Sequence, residues 1–281
     1  MKNEVFYPEL QSQQMDQFNQ NNYSNLLLAE GDSWFAWGYL NLAPSPSVLT
    51  AMDFASRTAT LCYAYSGDTV GDMARITGST GFRLEMRNRR FKAMLLSGGG
   101  NDLFDAIRLG HVLRRAGSSA DPADPDSYVN WQAVNDLTAY VSTNYAEIIS
   151  WRSHALSMNK TTPYVFHTYD WPLPRPAKAQ VMGMPAVGTW LYKPLVDVDA
   201  LPGLRHEIIK RVANKVLATI SNLHDPAAGI YVVDTRGATT PALPGSTGDS
   251  NDWANEVHPN ESGYAKVARL IRAQLATLGV S

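Results

Sequence analysis

Ser33 stands in Leu28-Ala29-Glu30-Gly31-Asp32-Ser33-Trp34, directly after the first apolar run of the chain. His258 stands in Asn255-Glu256-Val257-His258-Pro259, ahead of the last helical pattern. A serine hydroxyl is a weak nucleophile at neutral pH and needs a base to take its proton as it attacks. Imidazole changes protonation near physiological pH and can be that base. Between the two lie Ser66-Gly67-Asp68-Thr69 and Gly98-Gly99-Gly100-Asn101-Asp102. Attack on an ester carbonyl puts negative charge on its oxygen, and donors must already point there. The candidate donors are the backbone N–H of Gly67, the side-chain N–H of Asn101 and the backbone N–H of Ser33. Each residue also has an ordinary role open to it. Ser33 and Asn101 can cap helices, Asp32 and Gly67 can be turn residues, and a lone His-Pro is common in loops. Three consecutive glycines are harder to explain so, because the run loses much entropy on folding unless backbone must approach closely.

Competing chemistries lack their motifs. There is no Gly-x-x-x-x-Gly-Lys-[Ser/Thr] loop, no complete Gly-x-Gly-x-x-Gly, no His-Glu-x-x-His or Cys/His cluster for a metal, and no Gly-x-Ser-x-Gly. The 281 residues carry a formal net charge of −2, so no basic surplus exists to hold a phosphate backbone. The single cysteine, Cys62, excludes an internal disulfide framework and reads as core. His111, His154, His206 and His224 fall in helical or connecting segments, and His167 ends a strand, either lining a pocket or lying in the core. No apolar run reaches membrane-spanning length. The first residues carry no charged-then-apolar leader, so the chain as given reads as cytoplasmic, or exported without a cleaved signal.

The elements that would position these residues alternate. Residues 1–23, rich in Gln and Asn, read as an extension or arm, and 24–281 as one domain without a linker. Strand patterns cover 25–29, 58–64, 92–97, 164–168 and 230–234. Helical patterns cover 48–57 with Ser47 as cap, 81–91, 102–109, 131–157, 204–223 and 261–278. Residues 117–127 are a polar loop. Residues 169–203, rich in Pro, Gly and Trp, lack clean periodicity and read as a substrate-side wall or lid. Alternating strands and helices argue for a parallel sheet with helices on both faces, which binds ligands at the carboxyl ends of its strands. Ser33, Gly67, Asn101 and His167 all follow strand ends on that edge.

Taken together, Gly31-Asp32-Ser33, Gly67, Gly99-Gly100-Asn101-Asp102 and Val257-His258-Pro259 resemble, in order, the four blocks of the SGNH hydrolases, also called the GDSL esterase/lipase family. The resemblance spans residues 31 to 259. It implies a flavodoxin-like three-layer α/β/α sandwich with a five-stranded parallel sheet of order 2-1-3-4-5. It implies ester hydrolysis through an acyl-serine, with no metal or organic cofactor and a small-molecule ester as substrate. One position departs: the family usually has Asp three residues before the histidine, where this chain has Asn255. Asn255 itself, Asp252 or a backbone carbonyl are the three ways His258 can be oriented; Glu256 is a further carboxylate nearby. Trp34, Phe35, Trp37 and Tyr39 behind the serine, with Tyr169, Trp171 and Trp190 in the irregular segment, are either substrate walls or loop packing. Arg175 and Lys178 are cations that could face an acidic substrate. Trp34, His167, Tyr169 and Trp171 are the candidate substrate contacts. Two alternatives to a general esterase or lipase stay open: a binding protein on the same scaffold with weak or lost catalysis, and a carbohydrate O-acetylesterase. The sequence sets no oligomeric state.

Overall fold

The computed structural model describes residues 1–10, 12–16, 18–36, 45–75, 80–114, 121–181, 184–185 and 189–281. Trp37 and Tyr39, and residues 117–120 of the polar loop, lie outside the described residues. The strands are β1 Glu4–Phe6, β2 Asn25–Gly31, β3 Thr58–Cys62, β4 Ala93–Ser97, β5 Tyr164–His167, β6 Gln180–Val181, β7 Met184–Pro185 and β8 Ile230–Val233. The helices are α1 Ser12–Met15, α2 Val70–Ala74, α3 Thr80–Asn88, α4 Gly100–Arg108, α5 Trp131–Ser150, α6 Tyr192–Asp197, α7 Arg205–Ser221 and α8 Glu261–Thr277.

Six strands form one parallel sheet in the order β1-β3-β2-β4-β5-β8. The central strands read as continuous apolar runs because both faces are covered: every residue of β2, β3, β4 and β5 is buried. The five strands expected from the sequence keep the order 2-1-3-4-5, and β1 is added at the edge. That sixth strand corrects the five-strand expectation. It lies inside the stretch read as an arm, where Gln- and Asn-rich flanks hide a three-residue strand. It pairs Glu4, Val5 and Phe6 with Ala59, Thr60 and Leu61. Arg57 forms an ion pair with Glu4, and the Tyr23 hydroxyl donates to Glu4 as well.

Residues 48–57 are not a helix. Ser47 instead anchors a single turn in which Ala51 N–H donates to Ser47 O. The chain then extends so that Phe54 N–H donates to Met1 O and Asn3 N–H to Met52 O. These bonds tie it to the N-terminus in place of a helical ladder. Helix α2 is an addition, started by a capping box in which Thr69 and Asp72 satisfy each other's backbone N–H. Segment 169–203 contains α6 and the antiparallel pair β6–β7. Helices α2 and α7 both pack on α5, while α8 meets β5 and β8.

Candidate active site

The register of the central pair sets the geometry of the strand ends. Glu30 and Gly31 lie opposite Leu96 and Ser97, so the turn after β2 and the glycine run after β4 leave the sheet side by side. Gly31 stands where the two backbones touch. A Cβ there would lie 2.7 Å from Ser97 O, so only glycine lets the strands close. Beyond it the chain turns sharply. The Phe35 and Ala36 N–H groups donate to Asp32 O, and Trp34 N–H donates to Asp32 Oδ1. Ser33 sits at the apex. After β4, Gly99 at φ +92° makes the left-handed bend that opens α4.

The fold brings Ser33 and His258 together across 225 residues of sequence, with Ser33 Oγ 2.8 Å from His258 Nε2. Both residues are buried, and burial pushes the His258 imidazole down to about 4, so it is neutral at pH 7. Trp190 meets the imidazole edge-on at 6.2 Å between ring centroids.

Asn101 lies in the first turn of α4. One hydrogen of its side-chain amide is donated to Asp68 O at 2.9 Å, which fixes the amide and leaves its second hydrogen available to donate. Gly67 holds the preceding turn at φ +99°. Among the described residues the backbone N–H groups of Ser33 and Gly67 have no hydrogen-bond partner. Asp102, one residue on, accepts from Val70 N–H at 2.9 Å and so ties α4 to the start of α2. Burial, then neighbouring carboxylates, push the Asp68 carboxyl up to about 7. Burial holds Asp102 at about 6.

Of the three ways to orient His258, the side chain that reaches its far nitrogen is Asn255, with Nδ2 at 3.1 Å from His258 Nδ1. Asn255 Oδ1 accepts from the backbone N–H of Val257 at 3.0 Å and of His258 at 2.9 Å. Asp252 is corrected out of this role. Its carboxylate is taken by Lys266, the Thr240 N–H and the Ser262 hydroxyl, on the side of α8. Glu256 also points elsewhere. It accepts the N–H groups of Trp190, Leu191 and Tyr192 at the start of α6. Burial pushes its carboxyl up to about 7.

Under Ser33 the interior is polar. Asp32 Oδ2 accepts from the Tyr169 hydroxyl at 2.5 Å, and Oδ1 accepts from the Ser97 hydroxyl at 2.9 Å. His167 Nε2 lies 3.0 Å from Ser97 Oγ, and its Nδ1 accepts from Tyr169 N–H. That bond puts the imidazole proton on Nε2, so His167 donates to Ser97 and Ser97 to Asp32. Burial pushes Asp32 up to about 6, against the opposing pull of these donors, and His167 down to about 3. The expectation that Trp34, His167 and Tyr169 contact substrate is therefore corrected. They are 3%, 1% and 4% exposed, and the Trp34 ring stacks on His167 and meets Tyr169 edge-on. Trp171 is half-buried; its ring N–H donates to Asn214 and Lys210 lies over its face. Arg175 is buried, and its guanidinium donates to the carbonyls of Ser246, Gly248 and Trp253, so its charge is taken up inside the protein. Ser97 and Asp102 were not among the sequence candidates. Their one signal is position, flanking the glycine run at a strand end.

Among the described residues no group of three or more His, Cys, Asp or Glu side chains is arranged to hold a metal ion. No helix among them is long and apolar enough to cross a membrane.

The family model for GDSL-like Lipase/Acylhydrolase matches residues 30–271. Among solved structures, the chain is similar to an extracellular lipase from Streptomyces rimosus. Identity is 14% and the TM-score 0.54, over 89% of this chain and 99% of that one. It is also similar to the lipase Lip_vut3 from a goat rumen metagenome, at 15% identity and TM-score 0.51, over 89% and 97%. Likeness at this identity speaks to the fold. No curated protein sequence matches the chain.

Proposed function

This chain belongs to the GDSL-like lipase/acylhydrolase family and is a carboxylic ester hydrolase, and we propose that Ser33 is its nucleophile and His258 its base. The observation that carries the reading is the 2.8 Å contact between Ser33 Oγ and His258 Nε2. As Oγ bonds to the ester carbonyl carbon, its proton passes to Nε2 of the imidazole in its Nδ1–H tautomer, the neutral form that has a lone pair there, and the carbonyl oxygen takes the negative charge. The backbone N–H groups of Ser33 and Gly67 and the second side-chain N–H of Asn101 receive that charge. One such donor contributes about 10²–10³ in kcat. The imidazolium returns its proton to the leaving alkoxide. Water then attacks the acyl-serine with His258 again as base, releasing the acid and restoring Ser33. Asp32, buried and held by Tyr169, Ser97 and Trp34, fixes the turn that presents Ser33 and takes no proton in the cycle.

The substrate is a small-molecule ester. Activity on p-nitrophenyl esters from acetate to long acyl chains separates an O-acetylesterase from a lipase. The neutral Asn255 favours a second reading, a scaffold that binds its ester and turns it over slowly. Reaction of Ser33 with a fluorophosphonate distinguishes the two. Stoichiometric labelling of the wild type, absent in Ser33→Ala, supports the nucleophile. Ester turnover undiminished in folded Ser33→Ala overturns it.

A further inference from the structure

We propose that Asn255 holds His258 in the tautomer that donates to Ser33, so that the resting serine–histidine pair is in the form that cannot accept the serine proton. The inference rests on Ser33 and His258 being the reacting pair.

The orientation of an amide is fixed by what its oxygen and nitrogen meet. Here Asn255 Oδ1 faces two backbone N–H donors, those of Val257 and His258. Both can only donate, so the atom between them must be the acceptor. The other terminus, 3.1 Å from His258 Nδ1, is then the NH₂ group, which can only donate. A donor at Nδ1 requires a lone pair on that nitrogen. In a neutral imidazole the single proton must then sit on Nε2, the atom 2.8 Å from Ser33 Oγ. Nε2–H donates to the hydroxyl and has no lone pair for its proton.

The reactive tautomer needs Nδ1–H, and Nδ1–H needs an acceptor at the far side. Turning the Asn255 amide over would supply Oδ1 there. It would also set the NH₂ group against the Val257 and His258 N–H groups. The turn resists adjusting, since Ala254 N–H donates to His258 O at 3.0 Å and the Trp34 ring N–H donates to Val257 O. An aspartate in the same place meets no such conflict. One oxygen keeps both backbone N–H groups while the other accepts from Nδ1–H. In a Ser-His-Asp site, exchanging the acid for its amide leaves the geometry intact and lowers kcat about 10⁴-fold through the tautomer.

The test is Asn255→Asp in the full chain, together with ¹⁵N NMR of the His258 ring in both proteins. The wild type is expected to carry its ring proton on Nε2. Asn255→Asp is expected to carry it on Nδ1 and to hydrolyse p-nitrophenyl acetate with kcat raised by about 10²- to 10⁴-fold. A substitution that merely altered packing would move the rate without moving the proton. A wild-type ring protonated on Nδ1, or a folded Asn255→Asp with unchanged kcat, overturns the inference. The wild-type spectrum decides the matter even if the variant fails to fold. Turnover surviving in Ser33→Ala would instead remove the reading beneath it, whatever the tautomer.

Discussion

The Tyr169 hydroxyl donates to Asp32 Oδ2 at 2.5 Å, directly beneath the turn that carries Ser33. Tyr169 holds φ at +63°, a backbone conformation unusual for a bulky side chain, and it is 4% exposed. Removing the hydroxyl leaves a buried carboxylate short of a donor. Tyr169→Phe is expected to lower stability by about 1–3 kcal/mol, read from the urea midpoint at constant m. It loosens Asp32 and hence Ser33, so kcat/KM should fall about 10- to 100-fold. A variant with wild-type midpoint and rate would show that the Tyr169–Asp32 bond does not hold the turn.

The pH profile follows from burial of the base. A general base works only when unprotonated, so kcat/KM rises as pH passes upward through the imidazole pKa of the free enzyme. Burial places that value for His258 at about 4 rather than near 6.5. Activity on p-nitrophenyl acetate is expected to be flat from pH 8 to about 5 and to halve near pH 4. In Asn255→Asp the added carboxylate favours the imidazolium, so the acid limb should move to higher pH. A wild-type limb between 6 and 7 would contradict the effect assigned to burial.

Asp252 and Asn255 are three residues apart and do different work. Asp252 serves Lys266, Thr240 N–H and Ser262, all on the side of α8, while Asn255 serves His258. Asp252→Ala strands these donors in a site where Asp252 is 4% exposed. It is expected to cost about 1–3 kcal/mol of stability. Measured on folded protein, kcat/KM should stay within about twofold of wild type, because a substitution away from the reacting groups leaves their geometry intact. A large loss of kcat with unchanged stability would return Asp252 to the histidine.

Much of this was legible because the parallel sheet writes its strands as buried runs and places chemistry at their ends. The runs before Ser33, Gly67 and Asn101 are β2, β3 and β4, in the expected order. What the sequence hid depends on side-chain direction and on distant partners. Nothing local distinguishes Asp252 from Asn255 as a partner for His258; the choice is made by Lys266, one turn into α8. Nothing local says that His167 is buried, since Ser97 and the Tyr169 N–H that hold it come from another strand and from a positive-φ turn. The short β1 shows no pattern of its own and is defined by pairing with β3.

Two glycines in the site separate scaffold from chemistry. A Cβ on Gly31 would lie 2.7 Å from Ser97 O and 2.9 Å from Ser97 Cβ, within the paired strands, where neither neighbour can swing aside. Gly31→Ala must push β2 from β4, disturbing at once Ser33 and the Ser97 hydroxyl that holds Asp32. It is expected to lose about 1–3 kcal/mol of stability and about 10²-fold in kcat/KM. Around Gly67 a Cβ would meet nothing within 4 Å, yet φ is +99°. Gly67→Ala is strained by conformation alone, at about 1–2 kcal/mol, and relaxes by turning its own N–H. That motion removes an oxyanion donor, so kcat should fall about 10²–10³-fold while KM changes little. Normalised to stability, Gly67→Ala should be the more damaging to kcat. If KM rose and kcat held, the Gly67 N–H would be binding ground-state substrate and not the developing charge.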